Sequence, residues 1–239
     1  VKVVTSSGKT MYLDPVIATA FPDYYLETGR EDIDTSLTAS NWVEALLKLY
    51  GWEFEDGILH KVVDGTDVKF LSHYNGIPAY EASIVEIFDR KIYDIDVRDR
   101  NVIDIGSGIG DSAIYFALNG ARKVLGIEPQ PTPYYVSLKN VGLNELKNVT
   151  LINGAIGYES DVVFVEDKGV LYTEGILVDG KKKQGFKVPT YRLRDLAHLI
   201  QPEVLKIDCE GCEWEILNNE TDVLNKFSTI VMEVHGGNY

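Results

Sequence analysis

A run of glycines and one carboxylate hold the clearest chemistry in the chain. The apolar tetrapeptide VIDI, 102–105, leads directly into Gly106-Ser107-Gly108-Ile109-Gly110-Asp111. Glycine lets a chain turn sharply and lets backbone approach a ligand closely. Open α/β sheets hold their ligands at the carboxyl ends of strands, in the crevice such a loop borders. Glu128 follows 22 residues after Gly106, at the end of the next apolar run. A carboxylate there can accept hydrogen bonds from both hydroxyls of a ribose. Buried without such bonds it would be costly, so the alternative is a structural salt bridge.

The glycine spacing separates candidate ligands. A dinucleotide fingerprint is G-x-G-x-x-G, and its third glycine would fall where Asp111 stands. The pattern here is G-x-G-x-G, which suits a ligand with no pyrophosphate. S-adenosyl-L-methionine is such a ligand, with a carboxylate, an amine and a sulfonium. Asn153-Gly154-Ala155 follows a third apolar run. Its small residues would leave room for a flat adenine, or simply make a tight turn. The expected cofactor contacts are Asp104, Gly106, Ser107, Gly108, Gly110, Asp111, Glu128, Pro129, Asn153 and Ala155.

A second cluster runs Lys206-Ile207-Asp208-Cys209-Glu210-Gly211-Cys212-Glu213. Lys206 and Asp208 share one sheet face. Lysine is almost never fully buried unpaired, so Lys206 is expected to pair with Asp104, Asp208 or Glu233. Asp208, Glu210 and His235 fall where strand ends open onto the crevice, and they are the catalytic candidates. Methyl transfer is an in-line displacement in which the cofactor brings the activated group. The protein brings position and, for a hydroxyl acceptor, a base, worth about 10²–10⁴-fold. His235 titrates near neutrality and follows a strand, so it is the first base candidate; otherwise it is a surface histidine. Asp208 and Glu210 could instead hold a divalent cation through oxygen, although no metal is expected. Cys209 and Cys212 form a C-x-x-C. A structural zinc needs two further ligands and no second pair exists, so small, partly buried thiols are expected ahead of a redox dithiol.

The elements that position these residues follow from apolar rhythm. Short apolar runs begin at Val102, Lys123, Val149, Val204 and Thr229, with helical stretches near 110–119, 132–143, 192–200 and 213–226. Such alternation implies an α/β fold with a doubly wound, mainly parallel sheet. The fourth strand should lie between the first and the fifth. The stretch 157–189 breaks the rhythm with VVFV, GVLY and glycine turns, which predicts a hairpin insertion before the fourth strand. Residues 1–80 read as an N-terminal α+β extension, and 81–239 as the cofactor-binding domain. In the extension, Val43, Leu46, Leu47 and Tyr50 mark a helix, capped by Asn41 with Glu44 reaching back. Asp56-Gly57 and Asp64-Gly65 predict type I′ hairpins. A helix with Ile84, Ile87, Phe88 and Ile92 should open the second region.

Composition excludes several classes. Among 239 residues, 37 Asp and Glu face 23 Lys and Arg, for a net charge of −14. Nucleic-acid binding needs Lys and Arg against phosphates, and the only basic run, Lys181-Lys182-Lys183, reads as a solvated hairpin tip. No apolar run approaches the roughly 20 residues of a bilayer span, so no membrane partner is expected. No signal peptide is visible, although the chain begins at Val1. Two cysteines make no disulfide framework. The simplest reading is cytoplasmic, with a small-molecule acceptor as partner and homo-oligomerisation left open.

VIDIGSGIGDSAIYFALNGA (102–121), VLGIEPQP (124–131), Asn140 to Asn144, NGAIG (153–157) and LKIDCEGCEWEIL (205–217) together resemble the FkbM-type methyltransferases. The resemblance covers roughly 84–236, and the K-I-D-x-E-G signature is its most specific part. It implies a class I, Rossmann-like methyltransferase fold, S-adenosylmethionine as donor, and most often O-methylation. By position, Gly106, Gly108 and Gly110 approach the cofactor, Glu128 holds its ribose, and Asp208 and Glu210 line the active site. Cys209 and Cys212 replace small aliphatic residues. A class I sheet ends in an antiparallel hairpin, expected here to be missing or replaced by other strands, because the fifth strand runs almost to Tyr239. Two other classes compete: a nicotinamide-dependent oxidoreductase, and a cofactor-binding module without catalysis.

Overall fold

The computed structural model describes residues 1–37, 41–167, 177–178 and 185–235. Contacts divide the chain into two units, Val1–His73 with Tyr80–Ile92, and Tyr74–Ala79 with Tyr93–Tyr239.

In the first unit the predicted helix is Trp42–Leu49. Asn41 Oδ1 accepts from the Glu44 amide at 2.7 Å, as a cap should. Glu44 does not reach back; its carboxylate pairs with Lys48 one turn on. Glu53–Glu55, Ile58–Val63 and Thr66–Leu71 make an antiparallel sheet. Its two turns place Asp56, Gly57, Asp64 and Gly65 at positive φ, as type I′ geometry requires. The helix expected to open the second region is Ser83–Phe88, and it packs inside this unit. The Phe88 ring lies 5.9 Å from Trp52 and 5.7 Å from Phe70. Asp89, the residue that closes the helix, accepts from Trp52 Nε1 at 2.8 Å, and Ile92 lies past the end, exposed.

The second unit carries the sheet read from the sequence. Its strands are β1 (Asn101–Ile105), β2 (Lys123–Glu128), β3 (Val149–Asn153), β4 (Val204–Ile207) and β5 (Thr229–Met232). They pair in parallel in the order β3-β2-β1-β4-β5. The fourth strand thus lies between the first and the fifth, as expected. Every residue of β1 and β4 is buried, which fits mostly apolar strands covered on both faces, with Asp104 and Lys206 as their buried charged pair. The helices are α1 (Asp111–Leu118), α2 (Pro131–Leu143), α3 (Leu193–Ile200), α4 (Cys212–Asn219) and α5 (Thr221–Leu224). The single helix expected over 213–226 is therefore two. The break is at Glu220, whose buried carboxylate accepts from Tyr158 Oη at 2.8 Å and pairs with Arg194.

The insertion is a small sheet. Val162–Val165 pairs antiparallel with both Leu177–Val178 and Phe186–Tyr191, and Ala155–Ile156 joins Phe186–Tyr191 in parallel. The expected GVLY strand and the Lys181-Lys182-Lys183 tip lie outside the described residues. So do residues 236–239. Among the described residues no helix is long and apolar enough to cross a membrane.

Candidate active site

The loop after β1 works only with glycine. Gly106 sits at φ +74°, and a Cβ there would lie 1.7 Å from the Asp208 carbonyl oxygen. The ends of β1 and β4 can approach this closely because no side chain intervenes. Gly108 donates its amide to Glu128 Oε2 at 3.0 Å, and Gln130 donates to Oε1 at 2.8 Å. Glu128 is 6% exposed. Burial drives its pKa up to about 7, against the pull of these two N–H groups. The carboxylate is therefore held rigidly where the first two strands end. Its remaining lone pairs are free to accept from ligand hydroxyls.

Lys206 behaves as expected. Its ammonium is 2% exposed and lies 3.1 Å from Asp104 Oδ1 and 3.8 Å from Asp208 Oδ2. It also donates to the Gly106 carbonyl at 2.6 Å. Burial alone would lower its pKa; Asp104, with Tyr93, Asp208 and Asp111, holds it above the usual lysine value. Asp104 spends its other oxygen on the Ser112 hydroxyl at 2.7 Å. Asp104 thus sits fully buried beneath the loop, an anchor for Lys206.

A cavity opens beside the loop, walled by Gly106, Ile127, Pro129, Gly154, Ala155, Ile156 and both cysteines. Its lining is small and apolar, suited to a flat ring. Besides the fully buried Asp104, three expected cofactor contacts face elsewhere. Asn153 donates its amide to the Glu128 and Pro129 carbonyls at 2.9 and 3.1 Å, tying β3 to the end of β2. Ser107 is 1% exposed, with its hydroxyl turned inward beside Gly126. Asp111 is buried at the start of α1, accepting from the Ser112 amide at 3.0 Å. Gly110 precedes it at φ +85°, and a Cβ there would meet Ser137.

The expectation of free thiols is corrected. Cys209 and Cys212 are joined in a disulfide. The reason is local: Glu210 and Gly211 both take positive φ and fold the chain back. The cysteine Cα atoms come to 5.5 Å, within disulfide range.

His235 lies among four carboxylates. Its Nε2 is 3.5 Å from Glu210, 3.5 Å from Glu233 and 3.9 Å from Asp208. Its Nδ1 is 3.2 Å from Glu213, which also accepts the His235 amide at 2.8 Å. Trp214 Nε1 donates to the His235 carbonyl at 2.9 Å. Burial lowers the imidazole pKa, but Glu210, Glu213 and Asp208 more than reverse this and raise it. Glu213 is opposite in sign. Burial would raise it, yet N–H groups of its own backbone, His235 and Gly211 hold it below the usual glutamate value. Tyr93 joins the cluster by donating its hydroxyl to Asp208 Oδ2 at 3.4 Å. Asp208, Glu210 and His235 are therefore brought together as the sequence suggested. Glu213 and Tyr93 were not anticipated. Glu213 had a visible signal, three residues after Glu210 at the start of a helix; Tyr93 had none.

Comparison with known proteins identifies the family. The model of the methyltransferase FkbM domain matches residues 104–239. A ribosomal protein L11 methyltransferase of Clostridium botulinum is 39% identical over 56 residues, 23% of this chain and 18% of that one. The chain thus spans less than a fifth of that relative's length. Methyltransferase sdnD of Sordaria araneosa is 27% identical over 186 residues, covering 62% of this chain and 71% of that one. The solved structure of M. jannaschii TYW2 in complex with AdoMet is 23% identical over 42% of this chain and 45% of that one. The TM-score of that match is 0.31. The family match spans more than half of the chain, which belongs to the FkbM family of S-adenosylmethionine-dependent methyltransferases.

Proposed function

We propose that this chain methylates a hydroxyl oxygen of a small molecule or sugar. The observation that carries the reading is the His235–Glu213 pair, which follows β5 at the same carboxyl edge of the sheet where β1 and β2 end in Gly106 and Glu128. S-adenosylmethionine supplies, when bound, a methyl group activated by its sulfonium. The residues present fit it. Glu128 would accept from the ribose hydroxyls, and Ile127, Pro129, Ala155 and Ile156 would enclose the adenine. Gly106 also lines the cavity, and its lack of a side chain leaves that wall open to a close-lying ligand.

On the acceptor side, Glu213 keeps a proton on His235 Nδ1. That leaves the Nε2 lone pair to take the acceptor's hydroxyl proton, within the general-base range of about 10²–10⁴-fold. Asp208 and Glu210 face Nε2 and stabilise the imidazolium that results. The net charge of −14 argues against a nucleic-acid acceptor.

Incubation with methyl-labelled cofactor and a panel of hydroxyl and amine acceptors tests this. Label recovered on oxygen supports the reading, and label recovered only on nitrogen overturns it. A second reading rests on one observation: Asp208, Glu233 and His235 offer donor atoms all within 4.8 Å of one another. A divalent cation there would orient the hydroxyl directly, and activity lost to a chelator and restored by magnesium would favour it.

A further inference from the structure

We propose that Cys209–Cys212 is a thiol–disulfide exchange site, and that its state sets the shape of the cofactor cavity. The effect on the cavity rests on the cofactor reading above; the exchange itself does not. The chain has two cysteines, and both lie in this one turn. Both also line the cavity that holds Gly106, Pro129 and Ala155. The bond brackets Glu210 and Gly211, each at positive φ, and so closes the turn between Asp208 and Glu213. The bond sits in the wall of the cavity, where its cleavage changes lining and turn together.

The two sulfurs differ in access. Cys209 is partly exposed, whereas Cys212 is 5% exposed as the first residue of α4. A thiolate of an external dithiol therefore attacks Cys209 Sγ. The Cys209–Cys212 bond breaks, and Cys212 leaves as a thiolate, favoured by the helix N-terminus. The second thiol of the reductant then attacks the mixed disulfide and releases Cys209. The protein gains two electrons and two protons, and the dithiol becomes a disulfide. Cys209 Sγ lies 3.4 Å from Glu213 Oε2. A disulfide sulfur has no proton to give, but the reduced thiol does. Reduction thus adds a donor to the carboxylate that holds His235.

The native chain should be treated with dithiothreitol or oxidised glutathione, alkylated with iodoacetamide and weighed by mass spectrometry. In parallel, S-adenosylhomocysteine affinity should be titrated in each state. Two added alkyl groups after reduction and none after oxidation are expected. The dissociation constant should rise at least fivefold on reduction and recover on reoxidation. A Cys212→Ser chain should match the reduced protein and ignore dithiothreitol. No alkylation of the folded protein in dithiothreitol would overturn the exchange site. So would thiols that stay free in oxidised glutathione. Equal affinity in both states would overturn the effect on the cavity, whether or not the variant folds. Absence of binding in both states would sink the cofactor reading instead, and the exchange site would then be judged on the alkyl count alone.

Discussion

Glu213 grips His235 at two points, accepting its backbone amide at 2.8 Å and facing its Nδ1 at 3.2 Å. The carboxylate is fully buried and the imidazole partly exposed. One side of the ring is thus fixed, and the other faces Asp208, Glu210 and Glu233.

This pairing predicts the pH dependence of turnover. The pKa of His235 is raised, so the folded chain favours the imidazolium. Its contribution to stability is complete below the unfolded value, about 6.5, and is lost as pH rises through the folded value. The base must be neutral, so kcat should climb over that same rise. Glu213→Gln removes one of the carboxylates that raise the pKa. It should move the rising limb to lower pH and reduce kcat at least tenfold. It should also cost about 1–3 kcal/mol of stability, as an impaired buried hydrogen-bond network does. A pH–rate profile with its limb unmoved would exclude Glu213 as the positioning residue.

Lys206 and Asp104 form a buried ion pair. Lys206→Met leaves the Asp104 charge without its counter-ion and should destabilise the chain by about 3–5 kcal/mol. The double change Lys206→Met with Asp104→Leu should recover much of that loss. Urea unfolding of the four chains measures the coupling, and simple additivity would show that the pair does not act as a unit.

The same pair shows what could be read from the sequence. Lys206 beside Asp208 on an apolar strand demanded a partner, and strand order limited the choice to neighbours. Strand periodicity, the glycine loop and Glu128 were legible because each rests on local pattern. Asn153 and Ser107 were not, because which way a polar side chain turns depends on neighbours distant in sequence. The cysteine bond was missed for a similar reason. Two thiols three residues apart pair only if the turn between them folds back, and positive φ at Glu210 cannot be read from a non-glycine residue. The helix at Ser83–Phe88 was assigned to the wrong neighbour. Its apolar stripe says that it is buried, not against what.

Gly106 and Gly108 should respond differently to alanine. A Cβ at Gly106 would lie 1.7 Å from the Asp208 carbonyl, so Gly106→Ala should abolish cofactor binding and severely destabilise the fold. At Gly108 nothing lies within 4 Å, and only the left-handed backbone resists. That strain costs roughly 1–2 kcal/mol. Equal losses in thermal denaturation would contradict the close approach of β1 and β4.

Glu128 carries two predictions. Its pKa is raised to about 7 by burial. Without ligand, its contribution to stability should therefore fall as pH rises from about 4.3 through 7. Glu128→Gln should flatten that fall. Glu128→Ala should weaken S-adenosylhomocysteine binding at least tenfold, about 1.4 kcal/mol. Unchanged affinity would remove Glu128 from the ribose site.

The most direct test of the account is calorimetric titration of the chain with S-adenosylmethionine, S-adenosylhomocysteine and NAD. Binding of the two sulfur nucleotides with no heat from NAD is the predicted result. Binding of NAD alone would contradict the cofactor assignment drawn from the G-x-G-x-G loop, and no binding of any of the three would contradict the site itself.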